Sequence, residues 1–189
     1  ITLPDFLQRK ELLEVIHKKL KAGGYMRTGF ECYSLPDDPM TKAFKEGTAH
    51  YAASGHQTGG RVNFIAVGSS SKSNLGDDYY VQNFYDLKTY KKCLDNEEFP
   101  TFRGMKLSND DKIRQHATQQ LRSYFGIDFK QFERSFKINP KEYFSKEIEN
   151  LSEMIKDELV IVSSDCIEIT KLGRDFAQFI TNRFDVYDP

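Results

Sequence analysis

Leu159-Val160-Ile161-Val162-Ser163-Ser164-Asp165-Cys166-Ile167-Glu168-Ile169-Thr170 reads as two short apolar strands around a polar turn, the signature of a hairpin. Working outward, the residues before it carry helical grammar. Ser108-x-x-Asp111 has the form of a capping box for a helix that runs through Ile113, Ala117 and Leu121 toward Tyr124 and stops at Gly126. Asp128 caps a short helix bearing Phe129, Phe132 and Phe136. Asn139-Pro140 opens a third, in which Tyr143, Phe144, Ile148, Leu151 and Ile155 form one core-facing stripe. After the hairpin, Thr170 caps a last helix, to about Phe184, with Phe176, Phe179 and Ile180 inward. Three helices, a hairpin and a final helix is the order of a winged-helix-like module.

The first hundred residues follow a different pattern. Thr2-x-x-Asp5 with Pro4 predicts a helix over 4–22, with Leu12, Leu13, Ile16 and Leu20 at helical spacing and Gly23-Gly24 as its stop. Tyr25–Ser34 reads as a strand, and Pro39–Lys45 as a short helix ended by Gly47. Residues 48–61 hold glycines and two histidines without periodicity and read as a loop. Val62–Val67 suits a buried strand, followed by the polar loop Gly68–Ser73; Tyr79–Gln82 is extended and Leu87–Leu94 helical. Helix, strand, loop, strand, helix is the order of an α/β unit. The chain therefore divides at about position 100, into parts 1–100 and 101–189.

Composition narrows the function. The 189 residues carry 27 basic and 28 acidic side chains, 39% hydrophobic residues, 15 Phe and 10 Tyr, which supports an aromatic core and argues against disorder. Up to Met105 there are 14 basic and 13 acidic residues, and 13 and 15 after it, so neither half binds polyanions on charge alone. The third helix carries Glu142, Glu147, Glu149 and Glu153 against Lys141, Lys146 and Lys156; it would repel a phosphate backbone, which excludes nucleic acid as the expected partner. No apolar run reaches the ~18 residues of a membrane span. The cysteines Cys32, Cys93 and Cys166 lie 61 and 73 residues apart, a spacing that suits free thiols in a cytoplasmic protein and no disulfide scaffold.

Four patterns invite chemistry. His50 and His56 share a glycine-rich loop, yet their spacing of six and the lack of a second pair do not match a zinc site. His17 and His116 fall on helix surfaces and read as solvated. Cys32 near a strand end is a possible nucleophile, or simply a small residue in a strand. In Gly68–Ser73 a glycine and serines follow a strand, where backbone amides can face a ligand.

Longer motifs add a resemblance. Leu35-Pro36-Asp37-Asp38 through Lys45-Glu46-Gly47-Thr48, Gly68-x-Ser70-x-x-Ser73, Tyr80-x-Gln82-Asn83, Arg103-Gly104-Met105-x-Leu107-Ser108-x-Asp110-Asp111 and Arg183-Phe184-Asp185-x-Tyr187 occur in this order. Together they resemble the C-terminal half of the oxygen-independent coproporphyrinogen III oxidases, radical S-adenosylmethionine enzymes of haem biosynthesis. The resemblance implies an α+β chain: the end of a partial (β/α) barrel, then a mostly helical, winged-helix-like C-terminal domain. It also implies S-adenosylmethionine and a [4Fe–4S] cluster as cofactors of the intact enzyme. The family holds the cluster by C-x3-C-x2-C near its N-terminus, and nothing in these 189 residues matches that motif. The chain alone is thus expected to bind neither cofactor and to be inactive, with the missing N-terminal barrel portion and a tetrapyrrole substrate as its partners and a monomer as its state.

Residue by residue, the resemblance implies cofactor contacts from Gly68, Ser70 and Lys72, and substrate contacts from Gln82, Asn83, Arg103, Glu31 and His50. Departures accompany these. The family's G-V-S-A-I-S loop has its isoleucine replaced by Lys72, which preserves a backbone contact and loses an apolar one. Its H-R-N-F-x-G-Y-T loop keeps His50, Gly55 and Thr58, and in its G-x-D-H-F-A segment Glu31 keeps the acid while Cys32 replaces the histidine. A divergent substrate is one expectation. A tetrapyrrole-binding paralogue without turnover is the alternative, with His50, His56 and Cys32 as candidate axial ligands.

Overall fold

Asp5 accepts a hydrogen bond from the Gln8 amide while the Gln8 side chain accepts one from the Asp5 amide, and this reciprocal box starts the first helix, α1 (Phe6–Ala22). The computed structural model describes residues 3–52, 55–59, 63–76 and 78–187; the cap expected from Thr2 lies outside them. The apolar spacing of α1 is helical as expected, yet none of its residues is buried, and Leu12 and Ile16 are 54% and 49% exposed.

The expected strand 25–34 is instead a small hairpin, in which β1 (Met26–Arg27) pairs antiparallel with β2 (Tyr33–Ser34). Gly29 at φ 132 and Glu31 at φ 56 turn the chain back between them. Asp38 caps α2 (Pro39–Glu46), and Gly47 ends it in the left-handed region. Residues 48–61, expected as loop, contain a second hairpin of β3 (His50–Ala52) and β4 (Gly55–Gln57). It is held from outside: Tyr124 Oη donates to the Ala49 carbonyl at 2.9 Å, and the Arg122 guanidinium lies 4.9 Å from the Tyr51 ring centroid. In the expected buried strand 62–67, Val62 lies outside the described residues, Phe64 makes a single bridge to Asn74, and Ile65 and Val67 are 76% and 89% exposed.

β5 (Lys72–Leu75), β6 (Tyr79–Asn83), the helix α3 (Leu87–Asp95) and β7 (Thr101–Lys106) follow. The strands form a sheet in the order β5–β6–β7, antiparallel throughout, so its third strand falls beyond position 100. Among the described residues every strand pair is antiparallel and no sheet closes on itself.

In the second half, Ser108 and Asp111 form the expected capping box for α4 (Asn109–Tyr124). The helix ends on Phe125, at φ 61, and not on Gly126. β8 (Gly126–Asp128) leads into α5 (Phe129–Phe136), capped by Asp128. The single helix expected next is broken into α6 (Pro140–Tyr143), α7 (Ser145–Glu149) and α8 (Ser152–Lys156), with Phe144 and Leu151, the residues at the breaks, fully buried. The hairpin is present as β9 (Val160–Val162) and β10 (Cys166–Ile169), and β8 joins it in the order β8–β10–β9. A 3₁₀ turn at Gly173–Phe176 then leads into α9 (Ala177–Asn182). Its tighter winding rotates the apolar phase: Ala177 and Ile180 are buried, whereas Phe176 and Phe179 are 36% and 64% exposed, against expectation.

The core lies in this half, around Leu121, Phe132, Phe144, Ile167, Ile180 and Phe184. Phe144 meets Phe132 and Phe184 edge to face at 5.7 and 5.3 Å. His116, expected in solvent, packs edge-on against Phe132 and Phe136 at 5.4 and 5.1 Å. Ser108→Ala removes the hydroxyl that accepts from the Asp111 amide at 3.1 Å, and should lower stability by about 1 kcal/mol in chemical denaturation.

Candidate functional site

Cross-strand register builds the site. In β5–β6 Lys72 stands opposite Gln82, and in β6–β7 Gln82 stands opposite Arg103. Directly paired residues share a face, so the three side chains form one row across the sheet. Gln82 is tied at both ends, its amide donating to the Ser70 carbonyl at 3.2 Å and its oxygen accepting from Arg103 Nε at 2.9 Å. The row borders a cleft of ≈ 420 Å³ floored by Tyr80 and Met105. Among the described residues no carboxylate lines it.

The turn before β5 is locked from within. Gly68 and Ser70 sit at φ 112 and 63. The Gly68 amide donates to Tyr90 Oη at 2.9 Å and the Ser70 amide to the Phe84 carbonyl at 2.8 Å. Asn83 Nδ2 donates to the Gly68 carbonyl and to Ser71 Oγ, at 3.1 and 3.0 Å. These amides therefore do not face a ligand as the loop's composition suggested; Ser70 offers an exposed side chain instead. Both backbone groups of Asn74 pair outward with Phe64, and by strand alternation those of Lys72 face the same edge.

Glu31 and His50 belong to a second cluster, where the two hairpins dock on α4. Phe30 donates its amide to the Arg122 carbonyl at 2.8 Å, and the Gly29 backbone lies directly against the His56 ring. Burial pushes the His56 imidazole below its usual pKa; the Arg122 carbonyl opposes this, and the charges of Arg122 and His50 add to it. Glu31 is exposed at the apex of its turn and His50 is buried. Because Tyr51 pairs with His56 and His50 with Gln57, the two histidines lie on opposite faces of their hairpin. Cys32 Sγ lies 3.4 Å from Thr28 Oγ1, at the end of the buried hydroxyl chain Thr28–Ser34–Thr41. The three candidate axial ligands do not form one ligand set.

Cys32, Cys93 and Cys166 sit in the first hairpin's turn, on α3 and on β10, and no cluster of three or more His, Cys, Asp or Glu suited to a metal ion occurs among the described residues. The three cysteines therefore do not gather into a set that could hold an iron–sulfur cluster. Among the described residues no helix is long and apolar enough to cross a membrane.

The sheet also connects to the C-terminus. Tyr80 bonds to Gln115 of α4, and Tyr187 Oη donates to Asp111 Oδ1 at 2.9 Å. Burial raises the Asp111 carboxyl, but hydrogen bonds from Ser108 and Tyr187 prevail and hold it below the usual carboxylate range. Nearby, Arg114 pairs with Asp110 at 2.8 Å and Glu147 at 2.7 Å. Burial and its bond to Asp110 push the Tyr143 hydroxyl up to about 12. Period-2 spacing, two residues from Gln82 and from Arg103, is the sequence signal that puts Tyr80 and Met105 on this face.

Known proteins resemble this chain over nearly its whole length. Residues 107–176 match the family described as the HemN C-terminal domain. The oxygen-independent coproporphyrinogen III oxidase of Pseudomonas aeruginosa is 33% identical over 187 residues, 99% of this chain and 40% of that protein. The likeness is to the C-terminal part of the oxygen-independent coproporphyrinogen III oxidases. The Escherichia coli oxidase is 31% identical over 185 residues, again 40% of its length. A solved structure of coproporphyrinogen III oxidase (HemN) from Escherichia coli, described as a radical SAM enzyme, superimposes with a TM-score of 0.90 at 31% identity, covering 98% of this chain and 42% of that one. The chain thus spans about 40% of the length of the oxidases it matches.

Proposed function

We propose that this chain is the C-terminal portion of a radical S-adenosylmethionine enzyme that acts on coproporphyrinogen III or a close analogue, converting propionate side chains to vinyl groups by oxidative decarboxylation. The observation that carries the reading is the end-to-end likeness to the HemN structure at a TM-score of 0.90. Residues 1–100 would contribute the end of a partial (β/α) barrel, and residues 101–189 a winged-helix-like cover. The order helix, strand, four short helices and hairpin, with β8 added to the hairpin, supports the second assignment. Apolar side chains that α1 leaves in solvent, Phe6, Leu12 and Ile16 among them, would be covered by the remainder of the barrel.

When bound beside a cluster held by that remainder, S-adenosylmethionine supplies the radical that abstracts a substrate hydrogen. This chain's residues position and bind. The outward-facing backbone of Lys72 and the side chain of Ser70 would contact the cofactor, beside the turn that Gly68 shapes. Arg103, its Nε fixed by Gln82, would present its remaining N–H groups to a propionate; Asn83 braces the turn behind it. Glu31 and His50 would border the substrate cavity from their hairpins.

Two results test this. The complete protein should contain C-x3-C-x2-C ahead of residue 1 and should form vinyl products anaerobically; a complete protein without that motif overturns the reading. Arg103→Met should raise KM for the porphyrinogen roughly tenfold, the worth of one charge-assisted hydrogen bond.

A further inference from the structure

We infer that Lys72 and Arg103 together form a two-cation clamp, which holds a ligand by two of its carboxylates and makes the Lys72 side chain a determinant of substrate specificity. The inference rests on the function proposed above and deepens it, because the Lys72 side chain is given a task apart from its backbone.

Register carries the argument. Both cations flank Gln82, one strand away on either side and on the same face of the sheet. Strands lie about 4.8 Å apart, so the two attachment points stand about 10 Å apart. Gln82 fills the gap between them, donating to the Ser70 carbonyl and accepting from Arg103; being neutral, it cancels neither charge. Among the described residues neither Lys72 nor Arg103 forms an ion pair, and the cleft contains no acidic side chain. Arg27, Lys112 and Arg114 by contrast are tied to Asp175, to Asp78, and to Asp110 and Glu147; many surface lysines are unpaired too, and what sets Lys72 and Arg103 apart is their shared row beside the cleft. Two cations without a carboxylate partner, anchored about 10 Å apart on one face beside Tyr80 and Met105, suit a planar, apolar ring with carboxylates on short arms. Tyr80 takes the ring edge or face, and the cations take two carboxylates.

A carboxylate could also come from the amino-acid end of S-adenosylmethionine, so the test has an arm for each source. Fluorescence titration of the complete protein with coproporphyrin III is compared with calorimetric titration with S-adenosylmethionine, for the wild type, Lys72→Ile, Lys72→Arg and Arg103→Met. Lys72 is exposed and bonds to no side chain, so its variants should unfold at the wild-type midpoint. The expected result is roughly tenfold weaker porphyrin binding for Lys72→Ile and for Arg103→Met. Lys72→Arg should restore affinity, and affinity for S-adenosylmethionine should change less than about twofold. Unchanged porphyrin affinity in Lys72→Ile, with Arg103→Met weakened, overturns the clamp and leaves the proposed function standing. A loss confined to S-adenosylmethionine overturns it too, and assigns the lysine to the cofactor. If the wild type binds no porphyrin, the function proposed above fails and the clamp with it.

Discussion

Gly173→Ala should destabilise the C-terminal half by about 3 kcal/mol or more, near the upper end for overpacking. An added Cβ would lie 2.0 Å from the Leu159 carbonyl oxygen, 2.8 Å from its carbon and 3.0 Å from Ile169 Cγ2. Two of these neighbours are backbone atoms, which no rotamer change can move aside. The surroundings are also pinned. Leu159 O accepts from the Thr170 amide at 3.0 Å, Thr170 Oγ1 donates to the Glu158 carbonyl at 2.8 Å, and the same hydroxyl accepts from the Gly173 amide at 3.1 Å. The clash therefore falls where the foot of the β9–β10 hairpin is fastened to the turn before α9. Relief would separate hairpin from helix, exposing Ile169 and Ile180, both buried at 1% or less. Against a total stability of roughly 5–15 kcal/mol such a loss is large. Urea denaturation reads it as a fall in midpoint; a variant within about 1 kcal/mol of the wild type would show that the two elements slide apart freely, contrary to their packing.

The contrast between such a buried contact and the sheet face explains what could be read from sequence. Caps were legible because each is a local matter: Ser108, Asp128 and Asn139 all accept from amides two or three residues on. The apolar stripe of 140–156 named buried residues correctly at Phe144 and Leu151 but concealed the breaks that let both reach the core. β7 left no trace in the pattern because all six of its residues are exposed, so no alternation marks it. Both small hairpins were hidden for another reason. Their strands are two or three residues long and owe their form to contacts with α4, tens of residues away. For the site, Lys72, Gln82 and Arg103 could be named singly from a resemblance, but their alignment is a matter of register across two strand pairs, a long-range property that the spacing of residues along the chain does not contain.

Gly29→Ala should break the second cluster, at a cost of about 3 kcal/mol. Two separate effects add. At φ 132 a Cβ is strained by about 1–2 kcal/mol, and it would lie 2.3 Å from His56 Nε2, with Cε1 and Cδ2 at 2.9 and 3.0 Å. Unlike the Leu159 carbonyl, the imidazole can move, but it leaves its edge contact with the Tyr51 ring at 5.0 Å and its half-buried position when it does. pH makes this displacement measurable. In the wild type, burial first and then the nearby charges depress the pKa of His56, so as pH falls below the ordinary histidine value of about 6.5 the unfolded chain binds a proton before the folded one does. Stability is therefore full above about 6.5 and declines as the pH drops toward the depressed folded value. In Gly29→Ala the displaced, solvated ring titrates at nearly the same pH in both states, and that part of the decline should vanish. Replacing His56 as well separates the two contributions: the Gly29→Ala, His56→Ala pair should cost less than the sum of the single changes, retaining the backbone strain and losing the clash. Strict additivity, or an unchanged pH slope in Gly29→Ala, would show that the histidine never rests on the glycine. In that case the β3–β4 hairpin would owe its position to Arg122 and Tyr124 alone.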